Sequence, residues 1–424
     1  VTVTRTVDVL VVGAGPAGLA AAGRLAALGA GTVEVLERER SPGTRRGGYG
    51  RGTRAGRDTG AGRGARAGWG ARAGWGAAHD RAWRAAVRAG AVVRTGVTVT
   101  GWSGPLTLDV TGASGRERIA ARAVVLATGA RERPRSARLV PGTRPAGVLT
   151  TGELLRSVDA YGHAVGTRAL VVGAEPVSWE AVRALRSAGV EVAALVTERP
   201  WHRPGAFTGR VPVMGGTTVA ELLGRGRLSG VRLRHRDGRE ATVACDTVVF
   251  TGDWLPEQEL ARLGGVALDP GTRGPAVDGA FRTSVPGVFA VGDVLHGGEP
   301  AGTAVVEGRA VAGPVLAFLS NPAGGCGAGV PVVVDAPLRW VTPNRLDAPG
   351  VPGGAGWRGA GGGRFLVRAA RRLVRPVVVV SQDGVLLYRR RMWRTVGPDR
   401  SAPLPAGWAG RVDPAGGPVR IRVM

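Results

Sequence analysis

Val7 to Val12 is an unbroken apolar run, the pattern of a strand buried on both faces of a parallel sheet. An Ala/Leu stretch, Pro16 to Leu28, has helical composition, and Val33 to Leu36 is a second short apolar run. Together they predict a strand, a helix and a parallel strand. Short alternating runs at Val97 to Val99, Leu106 to Val110 and Ile119 predict an antiparallel meander that returns through the strand Ala123 to Ala127. The opening pattern recurs at Ala169 to Val172, with a helix from about Val177 to Ser187 and a strand Val190 to Val196. Val288 to Val291 precedes an Ala/Val helix from about Thr303 to Leu319. Beyond Asn321-Pro322 the texture becomes Pro/Gly-rich, with strands at Val330 to Val334, Val377 to Val380 and Val385 to Tyr388. The last two flank Asp383-Gly384, a tight-hairpin signature.

This periodicity predicts an α/β chain with two βαβ patterns, the second marking a second domain, and a small mostly-β domain at 330–424.

Between Leu36 and Val87 there is no Leu, Ile, Val, Met or Phe, and residues 43–76 hold 13 Gly and 8 Arg. Such a segment cannot build a core, so 43–85 is expected to be a flexible excursion. It contains a tandem repeat, Arg66-Ala67-Gly68-Trp69-Gly70-Ala71 and Arg72-Ala73-Gly74-Trp75-Gly76-Ala77. The abrupt loss of aliphatic residues also fits a shifted reading frame in a GC-rich gene, flanked by correct frame on both sides.

The formal net charge of +25 is carried by arginine alone, since no lysine occurs. Residues 44–94 hold 12 Arg against two Asp, and residues 358–424 hold 14 Arg against three Asp. A GC-rich coding sequence is a simpler source of these arginines than a polyanion-binding surface, which argues against a nucleic-acid partner. The absence of lysine excludes Schiff-base chemistry. Cys245 and Cys326 stand far apart, in no metal-ligand or CxxC spacing, so no metal is expected. No segment reads as a signal peptide or a membrane span of roughly 20 apolar residues, and the expected location is the cytoplasm.

Gly13-Ala14-Gly15-Pro16-Ala17-Gly18 follows a strand and opens a helix, and Glu37, followed by Arg38, ends the next strand 19 residues after Gly18. Gly13 makes the tight turn, Gly15 lets backbone approach a pyrophosphate, and Gly18 allows close helix packing. The helix N-terminus favours the phosphate charge, and Glu37 can accept ribose hydroxyls. This motif alone does not separate FAD from NAD. Two further segments accompany it: Ala127-Thr128-Gly129 after the strand from Val124, and Thr283 to Asp293, which reads TSVPGVFAVGD.

With these three segments the chain resembles the flavoproteins that carry two dinucleotide-binding domains, the group that includes thioredoxin reductase-like enzymes. The resemblance runs from about residue 7 to 320, omitting 43–85. It implies two Rossmann-like three-layer ββα domains: an FAD domain that is discontinuous (1–147 and 264–322) and a second domain (148–263) inserted between its halves. It also implies bound FAD, with Thr128 and Gly129 closing the first FAD segment and Gly292 and Asp293 contacting the ribityl or pyrophosphate part. ATGARERP (Ala127 to Pro134) and GVLTTGELL (Gly147 to Leu155) are especially similar to flavin subunits of opine dehydrogenases and hydrogen cyanide synthase. Those relatives usually add a four-Cys iron-sulfur module, which this Cys-poor end does not imply.

The second turn is less complete. Gly173, Glu175 and Ser178 occupy the three glycine slots, and Glu198 stands where a ribose acceptor would. Two readings stay open: a weakened site for NAD(H) or NADP(H), and a scaffold that has lost nucleotide binding.

For substrate chemistry, His296 is a candidate proton acceptor with Glu299 nearby, although an exposed loop histidine is the plainer reading. His163, His202 and His235 read as surface residues. The expected function is FAD-dependent transfer of hydride or electrons to or from a small molecule, an amine or amino-acid derivative by analogy with the opine relatives. An electron-acceptor protein or partner subunit would complete it. The alternatives are an NAD(P)H-dependent flavin reductase, and an Arg/Gly-rich nucleic-acid-binding protein on a non-catalytic flavoprotein scaffold.

Overall fold

The structure is a computed structural model that describes residues 3–40, 75–200, 211–322, 329–347, 364–393 and 395–424. The chain divides into two compact units. One comprises Val1–Pro42, Ala82–Arg133 and Gly252–Met424, and the other Gly43–Arg81 and Pro134–Thr251.

In the first unit, β1 (Val3–Val12), α1 (Pro16–Ala27) and β2 (Val33–Glu37) form the expected βαβ start. The helix α2 (Trp75–Arg88) leads to β3 (Val92–Thr95). The meander is β4 (Thr98–Gly104), β5 (Thr107–Gly112) and β6 (Gly115–Leu126). The sheet order is β3-β2-β1-β6-β5-β4. At 12 residues, β6 is long enough to pair antiparallel with β5 through its first half and parallel with Val288–Ala290 through its last three residues. The strands β3, β2, β1, β6 and Val288–Ala290 are therefore all parallel, and their C-terminal ends share one edge. Ligands of open α/β sheets bind beyond that edge.

The opposite end of these strands is tied by charge. Arg5 of β1 bonds Glu34 of β2 and, at 2.9 Å, Glu117 of β6, while Arg94 of β3 reaches Glu34 at 3.1 Å and Glu117 at 2.5 Å. One network thus spans four adjacent strands. These residues lie far apart in sequence, and nothing in the local pattern announces the cluster.

Two sequence expectations change here. The end of the supposed excursion, from Trp75, is helical because Ala82, Trp83 and Ala86 give α2 an apolar face, and Ala86 lies against Gly23 of α1. Residues 41–74, including the first copy of the repeat, lie outside the described residues. The helical stretch Ala301–Ser320 is long and apolar enough to cross a membrane by length and composition, contrary to the expectation that none is. It breaks into Ala301–Ala310 and Ala312–Ser320, and Gly308 lies so close to α1 that a Cβ there would sit 2.1 Å from the Ala17 carbonyl oxygen.

The C-terminal region of this unit is β-rich, as expected. A five-stranded sheet runs in the order Arg345–Leu346, Val330–Val334, Val419–Val423, Val377–Gln382, Val385–Arg391. A three-stranded sheet joins Leu338–Thr342, Arg364–Ala369 and Ala402–Pro405. The hairpin turn is Asp383-Gly384, with φ +47° and +83°, the doubly left-handed conformation that Asp-Gly favours. Trp408 and Phe365 stack at 4.8 Å in its core.

The second unit holds a five-stranded parallel sheet ordered Val213–Gly215, Glu191–Thr197, Arg168–Val172, Thr247–Phe250, Val148–Thr150. The helix Pro176–Ser187 packs on it, and Thr217–Leu223, Gly230–His235 and Glu240–Ala244 form an antiparallel sheet. Both units thus repeat one Rossmann-like plan.

Glu34 is 4% exposed and partners two arginines. Glu34→Ala is expected to lower unfolding free energy by about 2–3 kcal/mol, because both guanidinium groups lose a charged acceptor. Urea unfolding checks this; a change below about 0.5 kcal/mol would mean that the network carries no net stability.

Candidate functional site

The site of the first unit is built on close backbone approach. Gly13 turns the chain at φ +104°, and a Cβ there would fall 2.3 Å from the Ala127 carbonyl oxygen. A Cβ on Gly18 would fall 1.9 Å from the Gly13 carbonyl oxygen. Both positions therefore accept only glycine. Gly15 differs: a Cβ there would meet nothing within 4 Å, so its backbone faces open space at the N-cap of α1. Pro16 starts the helix, where its missing N–H leaves no bond unmade. Ala17 is buried against both Gly292 and Gly308, and a larger side chain would separate α1 from those segments.

Glu37 reaches back across the turn. Its Oε2 accepts the Ala14 N–H at 2.9 Å, and its Oε1 accepts the Glu39 N–H at 2.9 Å. A carboxylate has roughly four acceptor positions, so these bonds orient it and leave capacity for hydroxyls. Arg38 points to Glu257 at 3.8 Å as an exposed pair. Thr128 donates its hydroxyl to the Glu257 carbonyl at 2.7 Å, and the Glu257 N–H returns to the Gly129 carbonyl at 2.9 Å. This reciprocal clamp holds the segment after β6 at the sheet edge.

Gly292 and Asp293 follow Val288–Ala290 at the same edge. Gly292 has φ +80° and lies against Ala17. Asp293 has an enclosed Oδ1 with no hydrogen-bond partner. Burial pushes its carboxyl up to about 6, helped by the nearby Glu307 and Glu299 charges and opposed by His296. An enclosed acceptor with nothing to accept is what a polyhydroxylated ligand would satisfy.

His296 is buried, at 1% exposure, so the surface-loop reading is overturned. Its Nε2 lies 2.7 Å from Glu307 Oε1, and its ring lies near the Trp340 ring at 6.0 Å between centroids. Burial alone would lower its pKa, but Glu307, Asp293 and Glu299 together outweigh that and hold it at about 9. As a proton acceptor it is therefore already occupied below about pH 9. Its neighbour Glu299 is buried and bonds Arg368, which also donates to the Gly297 carbonyl at 3.0 Å and lies 4.9 Å over Trp340.

Sequence reasoning missed Glu307, whose Oε2 also accepts the Gly292 N–H at 2.9 Å. It sits on an apolar-looking helix, and its buried carboxylate inside an Ala/Val stretch was the available signal. Trp340 and Arg368 come from the β-rich region and carried no local signal.

The remaining candidates scatter. His163 is exposed and stacked on Tyr161 at 5.4 Å, His235 pairs with Asp237 at 2.8 Å, and His202 lies outside the described residues. Burial, chiefly, pushes the Cys245 thiol up to about 11, which leaves it unreactive. In the second unit Gly173, Glu175 and Ser178 do form one turn, before the helix Pro176–Ser187, and Glu198 is exposed just after Glu191–Thr197.

A family model described as pyridine nucleotide-disulphide oxidoreductase matches residues 7–308. The chain is 33% identical over 199 residues to the ferredoxin–NAD(+) reductase component of the benzene 1,2-dioxygenase system of Pseudomonas putida, covering 42% of this chain and 46% of that one. It is 27% identical over 346 residues to one of the subunits of opine oxidase from Agrobacterium tumefaciens (strain Ach5), covering 74% of this chain and 66% of that one. The thioredoxin reductase of T. acidophilum shares the fold, with a TM-score of 0.53 at 23% identity over 75% of this chain and 99% of that one. The chain spans less than half the length of the first curated relatives it matches.

The His296 and Glu307 pair sets a pH dependence. A histidine raised from 6.5 to about 9 on folding contributes stability that is complete below pH 6.5 and is lost as pH rises through about 9. Thermal midpoints of the wild type, corrected by the same scan of Glu307→Gln, are expected to fall across that window. A difference that stays flat from pH 6 to 10 would mean that His296 is not held protonated.

Proposed function

We propose, for a chain that belongs to the pyridine nucleotide-disulphide oxidoreductase family, that the first unit holds FAD and uses it to move hydride or electrons to or from a small molecule. The observation that carries this reading is the convergence of Gly13 to Gly18, Thr128-Gly129 and Gly292-Asp293 on one sheet edge, with Asp293 Oδ1 enclosed and without a partner.

The residues fit the cofactor. Backbone at Gly15 and the N-terminus of α1 would receive the pyrophosphate, because free amide groups and the helix dipole both favour an anion there. Glu37, already oriented by the Ala14 and Glu39 amides, would accept ribose hydroxyls. Asp293 would accept from the hydroxylated chain that joins pyrophosphate to the flavin ring. FAD, once bound, supplies a two-electron acceptor. The chain supplies position and charge: Glu307 fixes Gly292 and His296 together, and the protonated His296 places a positive charge beside Asp293. Trp340 and the Glu299–Arg368 pair cover the His296 loop and keep water from it.

For the substrate we infer an amine or amino-acid derivative, supported by the likeness to the opine oxidase component over 346 residues. That relative and the Pseudomonas putida reductase are both named as subunits, which supports a partner subunit or an electron-acceptor protein here.

The visible spectrum of the purified chain, with the mass of the released cofactor, tests this first. Flavin bands and an FAD mass are expected, and anaerobic addition of opines and N-substituted amino acids is expected to bleach them. A colourless protein that takes up no added FAD would sink the reading. Asp293→Ala is expected to weaken FAD binding by about 10- to 150-fold, the value of one charge-assisted hydrogen bond.

A further inference from the structure

The two units make the same turn with different chemistry. Gly173 turns the chain at φ +137°, as Gly13 does at +104°. At the next slot the first unit has Gly15, whose surroundings are open, and the second has Glu175 at the N-cap of Pro176–Ser187. The Glu175 carboxylate folds back into the turn. Its Oε2 accepts the Ala174 N–H at 3.1 Å and lies 3.1 Å from Ser178 Oγ and 3.3 Å from Thr251 Oγ1. Ser178, fully buried in the third slot, accepts the Glu175 N–H at 3.1 Å and sits 2.6 Å from Thr251 Oγ1. Arg199 approaches the other carboxylate oxygen at 3.8 Å.

These bonds engage the groups that a dinucleotide would need. The Ala174, Glu175 and Ser178 amides and the Ser178 and Thr251 hydroxyls already have an acceptor, and the partial positive charge of the helix N-terminus is compensated by a fixed carboxylate. An incoming pyrophosphate would meet like charge at contact distance and find these donors taken. The residues present therefore do not fit a nicotinamide dinucleotide, although the family's name includes pyridine nucleotide.

We infer that the second Rossmann-like unit is capped by its own acid: Glu175 takes the place of a pyrophosphate, and this turn binds neither NAD(H) nor NADP(H). Taken with the proposed FAD site, on which this consequence rests, electrons enter the flavin from the small-molecule substrate and not from a reduced nicotinamide. The likeness to an NAD(+) reductase is then one of fold and of the FAD half.

Calorimetric titration of the full-length chain with NADH, NADPH and ADP-ribose tests the inference without reference to turnover. The wild type is expected to show no saturable binding up to about 1 mM. Glu175→Gly, which restores the open second slot and releases Arg199 toward a phosphate, is expected to bind at least tenfold more tightly than the wild type. Glu175→Gln, which keeps the shape and removes the charge, should move in the same direction. Saturable micromolar binding by the wild type overturns the inference, as does unchanged binding in both variants when circular dichroism shows them folded. The titration reads the nucleotide and not the colour, so a preparation lacking FAD would count against the flavin reading alone.

Discussion

The approach of β6 to the turn after β1 is the constraint on which the first unit depends. The Ala127 carbonyl occupies the space that a side chain on Gly13 would need, and the Gly13 carbonyl does the same to Gly18. These contacts bring the start of α1 onto the ends of two parallel strands, and they leave Gly15 facing outward. Gly308 extends the same economy of volume: it lets a second helix meet α1 at Ala17, and that helix brings Glu307 under Gly292. The placement of the buried Glu307 thus follows from several absent side chains. Because Glu307 then takes His296 as its second partner, the charge state of the loop is set by backbone packing some distance from it.

The second unit shows what happens to this plan when the outward-facing glycine is replaced. A helix N-terminus has unsatisfied amides whether or not a ligand comes. In the first unit the N-cap Gly15 offers no side chain to them, and in the second an internal carboxylate caps the turn. The strand order, the turn and the helix persist because packing of the apolar faces of Arg168–Val172 and Pro176–Ser187 holds them, independent of any nucleotide. The fold and the way its helix is capped are separable here at a single slot.

Much of this was legible in the sequence where local pattern carries the information. Continuous apolar runs marked β1, the end of β6 and the strand Arg168–Val172, since buried parallel strands need no polar face. Gly13 to Gly18 was legible because the turn's geometry admits few residues, and Asp383-Gly384 because its two left-handed angles do the same. What was not legible is long-range. The Arg5–Glu34–Arg94–Glu117 network needs the strand order before its members are neighbours. His296 looked exposed because its loop is polar; what buries it, Trp340, is more than forty residues away in sequence. The helical end of the Gly/Arg-rich stretch was hidden by the glycine-rich context and the lack of aliphatic residues before Val87, although alanine favours helix and Ala86 packs on Gly23.

The β-rich region is more than an appendage to the first unit. Asn344 accepts the Val277 N–H at 2.8 Å, Arg368 holds the Gly297 carbonyl at 3.0 Å, and Ser401 donates its N–H to Glu299 at 3.3 Å. Asn344 thus ties that region to the stretch around Val277, and Arg368 and Ser401 satisfy polar groups on the loop that follows Asp293. Without the Arg368 charge Glu299 would be a buried carboxylate lacking its cation, a costly arrangement. The loop's charges are balanced only when the β-rich region is docked, with Arg368 against Glu299 and the Trp340 ring against His296. The ring beside His296 and the cation that pairs with Glu299 thus both come from beyond the stretch that the family model covers, 7–308.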